Sequence, residues 1–322
     1  MNEVQRFDTL KRAIEEDTTN FQARRELAVL CLDLGFEQMA LKHLSYLANI
    51  FQEDASLQFN IGICWEKLKR YEYALKAYRR AVELKPDDPD FLYNLALVLE
   101  ALGEEDEALL KFKEVACLEY SKSPSGDVGS ANTFFCIGCL YSKKGDSKNA
   151  IKCFLRTIAL DPSDYFAHFH LAQEYKKTGE VALAIDEYNK VLRLSSDYSW
   201  AYFNLGQIYW EQGDIENALS MLKKTIEKNP KDTECYKLII KIFMSENNYA
   251  QAVKYAEVAI ENFEEEGDFY LLLARAHMAA GDSEQYFEFL KKALGYIQSL
   301  SYDVKAIKME YREAERARHG KQ

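Results

Sequence analysis

Proline and glycine are scarce, five and fourteen in 322 residues. A large β-protein needs both at its many turns, so their shortage excludes one and leaves a mostly helical chain, in keeping with the recurrence of Ala, Leu, Glu and Lys. No run approaches the eighteen or more apolar residues of a membrane-spanning helix, and the opening "MNEVQRFDTLKRAIEEDTT" lacks the apolar centre of a secretory signal. Neither membrane insertion nor export is expected. The seven cysteines are odd in number and scattered, which excludes a full disulfide framework and suits reduced thiols in the cytoplasm. Excess positive charge is also absent: 52 acidic residues against 41 basic ones give a formal net charge of −11, so no general electrostatic grip on nucleic acid is expected. There is no glycine-rich phosphate loop, no Gly-x-Ser-x-Gly and no His-Glu-x-x-His, and the five histidines form no recognisable nucleophile pair. No enzyme, cofactor or metal is predicted; the default partner is another protein.

What the chain has is a period. "FNIGICWEKLKRYEYALKAYRRAVELKPDD" from Phe59 and "FNLGQIYWEQGDIENALSMLKKTIEKNPKD" from Phe203 are two copies of one unit. A small residue recurs at Ala28, Gly62, Ala96, Gly138, Ala172, Gly206 and Ala274, with Ile240 in that register as an exception. All the steps are of 34 residues but one, which is 42. Twelve residues later a second small column runs through Ala40, Ala74, Ala108, Ala150, Ala184, Ala218 and Ala252, and is broken at Tyr286. Such columns predict two amphipathic helices per unit that cross closely where only Gly or Ala leaves room. Turns between the helices are marked by Gly35, Gly103, Gly145, Gly179, Gly213 and Gly281, with Lys69 and Asn247 in the same place of the other two units. Pro86, Pro162 and Pro230 stop second helices.

The unit resembles the tetratricopeptide repeat, a 34-residue helix-turn-helix with small residues at its eighth and twentieth places and proline at its thirty-second. The resemblance implies an all-α, right-handed superhelical solenoid of about eight repeats at residues 21–54, 55–88, 89–130, 131–164, 165–198, 199–232, 233–266 and 267–300. Residues 1–20 and 301–322 read as capping helices, the last turning polar. The longer third unit places its extra residues in "SKSPSGDVGS", residues 121–130, expected to be a solvated loop. The seventh and eighth units, with Ile240 and Tyr286 at small-residue places, are expected to pack more loosely or at another angle.

The resemblance further implies a concave groove lined by the first helix of each unit, and a non-catalytic scaffold that holds an extended peptide or a helix there. At the fifth place stand Arg25, Phe59, Tyr93, Phe135, Phe169, Phe203, Lys237 and Leu271; at the sixth, Asn60, Asn94, His170 and Asn204; at the second, Phe166 and Trp200. Five successive aromatics offer contact area, and Asn amides can donate and accept along a peptide backbone. The competing explanation is packing between neighbouring helices; Phe166 and Trp200 are the favoured ligand contacts. The carboxylate clamp by which some family members hold chaperone tails is not reproduced. Lys67, Lys143 and Lys177 at the thirteenth place read as a solvated edge.

Two alternatives stand beside the scaffold. One is an assembly subunit that uses its convex face or its last two units. The other is a metal- or thiol-responsive regulator centred on Cys136, Cys139 and His170, whose places bring them to one face; His168 points elsewhere. A mid-helix Cys-x-x-Cys lacks the electropositive helix start that activates a thiol.

Overall fold

The structure, a computed structural model, describes residues 2–122 and 130–319. Among these there are eighteen α-helices and no strand. The chain divides into two compact bodies, Met1–Glu174 and Tyr175–Gln322. The first holds α1 (Glu3–Glu16), α2 (Phe21–Asp33), α3 (Glu37–Ile50), α4 (Ala55–Lys67), α5 (Tyr71–Leu84), α6 (Pro89–Ala101), α7 (Glu105–Lys122), α8 (Ala131–Lys143) and α9 (Ser147–Leu160). The boundary falls inside α10 (Tyr165–Thr178). The second body continues with α11 (Val181–Leu194), α12 (Ser199–Glu211), α13 (Ile215–Lys228), α14 (Thr233–Ser245), α15 (Tyr249–Asn262), α16 (Gly267–Ala279), α17 (Ser283–Gly295), a 3-10 turn at Ile297–Ser299 and α18 (Val304–His319).

From α1 to α9 and from α11 to α18 each helix packs on the next along the chain, most closely within the pairs α2/α3, α4/α5, α6/α7 and α8/α9 of the first body and α12/α13 and α16/α17 of the second, with α15 packed equally on α14 and α16. The small-residue column is the reason. A Cβ built on Gly62 would lie 2.4 Å from Cε1 of Tyr78, and one on Gly138 would lie 2.7 Å from Cε1 of Phe154. Tyr78 and Phe154, sixteen residues on, are fully buried. Helix starts are capped by aspartates: Oδ1 of Asp54 accepts from the backbone N–H of Ser56 and Leu57, and Asp88, Asp164 and Asp232 repeat the device.

All six turn glycines have φ between +77° and +86°, and Lys69 and Asn247 take the same left-handed conformation at +58° and +56°. Each turn closes with a backbone bond back into the preceding helix, as from Arg70 N–H to the Trp65 carbonyl at 2.8 Å. In both the Cβ crowds the carbonyl oxygen; the short amide of Asn can offset this by bonding locally, whereas the lysine side chain cannot. Lys69→Gly is therefore expected to stabilise the protein by about 0.5–1 kcal/mol, part of the gain being returned as entropy of the unfolded chain. A denaturation midpoint that fell would contradict this.

Two expectations change on contact with the structure, and a third gains detail. The insertion is not all loop: Ser121 and Lys122 continue α7, which has 18 residues against 14 in α5 and α9. No glycine or proline precedes Pro124 to stop it, and the Ser130 N–H returns to the α7 carboxylate of Glu119 at 2.8 Å. Residues 123–129 lie outside the described residues. The exceptional units are not loose either. Ile240 is fully buried, and sixteen residues on stands a fully buried Ala256 in place of the bulky residue found in the other units. Tyr286 is buried and donates its hydroxyl to Glu310 of α18 at 2.9 Å. Lys67 and Lys143 are exposed, as a solvated edge requires, and each also carries a bond. Lys67 donates to the Leu32 carbonyl at 2.9 Å, and Lys143 pairs with Glu105 at 2.6 Å, each tying one helix pair to the one before.

Candidate functional site

The fifth-place aromatics of the first body are half-buried or buried and serve the packing between pairs. Phe59 of α4 stacks on Phe91 of α6, centroids 4.6 Å apart, and touches Tyr78 at 5.5 Å. Tyr93 of α6 meets Phe112 edge-on at 5.4 Å, with its hydroxyl 3.6 Å from Sγ of Cys136 on α8. Phe135 of α8 lies 5.4 Å from the ring of His170 on α10, and His170 stacks on Phe154 at 5.6 Å and meets Phe169 at 5.7 Å. Each such contact contributes about 0.5–1.5 kcal/mol beyond the area it buries. The column is thus a seam that joins successive first helices, with part of the Phe59, Tyr93 and Phe135 rings left at the surface and Phe169 buried.

On either side of the five aromatics the same column turns ionic. Arg25 pairs with Asp54 at 2.8 Å, and Lys237 with the fully buried Asp268 at 2.8 Å. The sixth-place amides are also partly committed: Nδ2 of Asn94 donates to the Asp90 carbonyl and Nδ2 of Asn204 to the Trp200 carbonyl, both at 2.8 Å. This leaves their carbonyl oxygens to accept. Asn60 is half-buried.

Phe166 and Trp200 behave differently. They stand in the first turns of α10 and α12 and are 45% and 53% exposed. Phe166 rests on Tyr165 with centroids 4.2 Å apart. In the second body Trp200 meets the half-buried Phe203 edge-on at 6.4 Å.

The thiols are quiet. Burial pushes Cys139 up to about 12 and Cys153 up to about 11, and it raises Cys136 as well, although the Tyr93 hydroxyl opposes the shift there. Such groups hold almost no thiolate at neutral pH, and thiolate is the reactive and metal-binding form. Among the described residues no group of three His, Cys, Asp or Glu side chains is placed to hold a metal ion. His168, two residues from His170, is buried, with Nε2 3.3 Å from the Pro162 carbonyl.

One feature was not singled out by the sequence reading. Phe36 stands at the start of α3, where the other pairs carry Arg70, Glu104, Asp146, Glu180, Asp214, Asn248 and Asp282. It makes no side-chain cap bond and is 51% exposed. With Met39, Phe7, Ile14, Leu27 and Leu68 it lines a cleft of about 790 Å³. An apolar residue in a column of polar helix starts was the available signal.

Models of the tetratricopeptide repeat match residues 67–103, 131–164, 172–213, 199–232 and 238–297, together more than half of the chain. With the paired helices and their small-residue crossings, these define a helical-repeat protein of the protein-interaction class. The chain belongs to the tetratricopeptide repeat family. Superkiller protein 3 of Schizosaccharomyces pombe is 25% identical over 167 residues, 49% of this chain and 12% of that protein. Anaphase-promoting complex subunit 3 of the same yeast is 28% identical over 153 residues, 48% of this chain and 22% of that protein. The chain thus spans less than a quarter of the length of these relatives. Among solved structures, YrrB, a repeat protein of this family with an unusual peptide-binding site, matches with a TM-score of 0.51 at 21% identity. That match covers 61% of this chain and 96% of YrrB, and is a likeness of fold. Proteins of this family are generally non-catalytic scaffolds. No helix among the described residues is long and apolar enough to cross a membrane.

Proposed function

We propose that this protein is a non-catalytic adaptor that captures an extended segment or helix of partner proteins on the surface of its first helices, with Phe166 and Trp200 as the ring anchors. The observation that carries the reading is the exposure of these two large aromatics at one place of consecutive first helices, where the neighbouring column is covered by packing. Large rings with few rotatable bonds are the side chains that most often dominate a protein interface. In the first body the part-open faces of Phe59, Tyr93 and Phe135 supply apolar wall and in the second that of Phe203 does, while the carbonyl oxygens of Asn94 and Asn204 accept from a peptide backbone. Phe169 and His170 hold the wall in place. The reading takes residues 21–300 as eight repeats, supported by eight left-handed turns in register, with residues 1–20 and 301–322 as end segments.

A second reading, an assembly subunit that uses its convex face, draws on the likeness to a subunit of the anaphase-promoting complex. Affinity purification with quantitative mass spectrometry separates the two. Partners retained by the wild type are expected to fall at least tenfold with Phe166→Ala/Trp200→Ala, and to persist with Leu110→Ala/Leu183→Ala on exposed second-helix positions. The reverse pattern would favour the assembly reading.

A further inference from the structure

Where a repeat array ends, the last pair must cover its open face with something that does not continue the array. Here that element is α18, and the way it is attached is unusual. The contact begins before the helix, at the strap of residues 296–303. Asp268, in the first turn of α16, is fully buried, and its carboxylate accepts from the Lys237 ammonium at 2.8 Å, from the backbone N–H of Ser301 at 2.8 Å and from the Ser301 hydroxyl. Burial raises the carboxyl, but the bonds from Lys237 and Ser301 together outweigh it and hold it below the ordinary aspartate range. One residue earlier, Gly267 N–H donates to the Ser299 hydroxyl at 2.8 Å, and that hydroxyl donates to the Glu265 carbonyl at 2.7 Å. A Cβ on Gly267 would lie 2.8 Å from the Tyr296 carbonyl oxygen, so the strap can lie this close only on a glycine.

Beyond the strap, α18 holds on lightly. Its one fully buried apolar side chain is Ile307. Tyr311 and Ala314 pack part-buried beside it, Tyr311 stacking on Phe287 at 4.9 Å, and the other contacts are polar: Tyr286 donates to Glu310, Arg275 pairs with Glu310 at 3.4 Å, and Arg318 reaches Glu288 at 3.4 Å. These ion pairs are open to solvent, and exposed pairs contribute little. The face beneath is of the opposite character, with Leu271, Ala274, Leu290 and Ala293 wholly buried. An apolar face covered by a largely polar helix, its strap locked through Ser301 onto the buried Asp268 of α16 rather than by α18 itself, is the arrangement expected of a removable cover.

We propose that α18 is the resident occupant of a helix-docking face on α16 and α17. When the Asp268 strap opens, this face takes an amphipathic partner helix that presents an aliphatic side chain, a carboxylate three residues on and an aromatic next to it, as Ile307, Glu310 and Tyr311 do. The face is separate from the rings of the proposed groove, and the two stand or fall independently.

The test uses the full chain and a fluorescent peptide of residues 304–319. Asp268→Asn, and Ser301→Ala as a milder variant that keeps the Lys237–Asp268 pair, are compared with the wild type. The peptide is expected to bind either variant at least tenfold more tightly than the wild type, and to lose at least tenfold when it carries the equivalent of Glu310→Gln and Ile307→Ala. Hydrogen exchange should quicken at least tenfold in residues 296–319 while α12–α15 keep their protection. Equal peptide affinity for the variants and the wild type would overturn the proposal. So would a uniform loss of protection from α14 to α18 in Ser301→Ala, because α18 would then be an integral part of the fold rather than a cover.

Discussion

Ile240→Ala is expected to destabilise the protein by about 3 kcal/mol, in the range of buried large-to-small changes that leave a cavity. Ile240 is fully buried, and the residue sixteen positions on, where the other pairs carry a Leu, Phe or Tyr, is Ala256. With alanine on both sides nothing is left to fill the space, and the flanking Ile239 and Phe243 are themselves held in the same cluster. Chemical denaturation measures the loss, and hydrogen exchange should localise it to α14–α16, since a helical repeat is stabilised chiefly by its neighbours. The double variant Ile240→Ala/Ala256→Leu restores the arrangement used by the other pairs and is expected to recover more than half of the stability. If the single variant cost less than about 1 kcal/mol, the exchange of bulk between the two helices would not be what packs this pair.

The opposite change belongs to the second pair of helices. Gly62→Ala adds one methyl where 2.4 Å separates the new Cβ from the Tyr78 ring, well inside contact distance. The ring cannot yield easily: it is fully buried and its hydroxyl donates to Glu66 at 2.7 Å. Overpacking of about 2–3 kcal/mol is expected, offset by about 1 kcal/mol from the better helix propensity of alanine, for a net loss of about 1–2 kcal/mol. Adding Tyr78→Leu, the residue type that faces Gly206 as Leu222, should reduce the loss from the clash. A stability equal to or above that of the wild type for Gly62→Ala alone would show that the two helices have room to separate.

The helix pairs and their turns were legible in the sequence because each rests on a local, repeated steric rule. Gly62 and Gly138 mark crossings, and Gly145 marks a turn whose left-handed φ favours glycine; Lys69 could be read as a turn only because the register put it there. The candidate site was legible in part. The aromatic column was visible, but whether Phe135 faces a ligand or the ring of His170 depends on how the next helix lies against it, which periodicity does not encode. Asn94 and Asn204 likewise look free in sequence and spend one N–H each on their own helix.

The sequence by itself determined the helical repeat, the places where helices cross and the turns that join them, since close packing and backbone sterics act over a few residues and recur every 34. Tertiary structure alone decided which aromatics stay open, how Ile240 is accommodated, where Lys67 and Lys143 bind, and that Asp268 is buried against Ser301. Those outcomes depend on distances between helices far apart in the chain, and burial, unlike periodicity, is a property of the assembled surface.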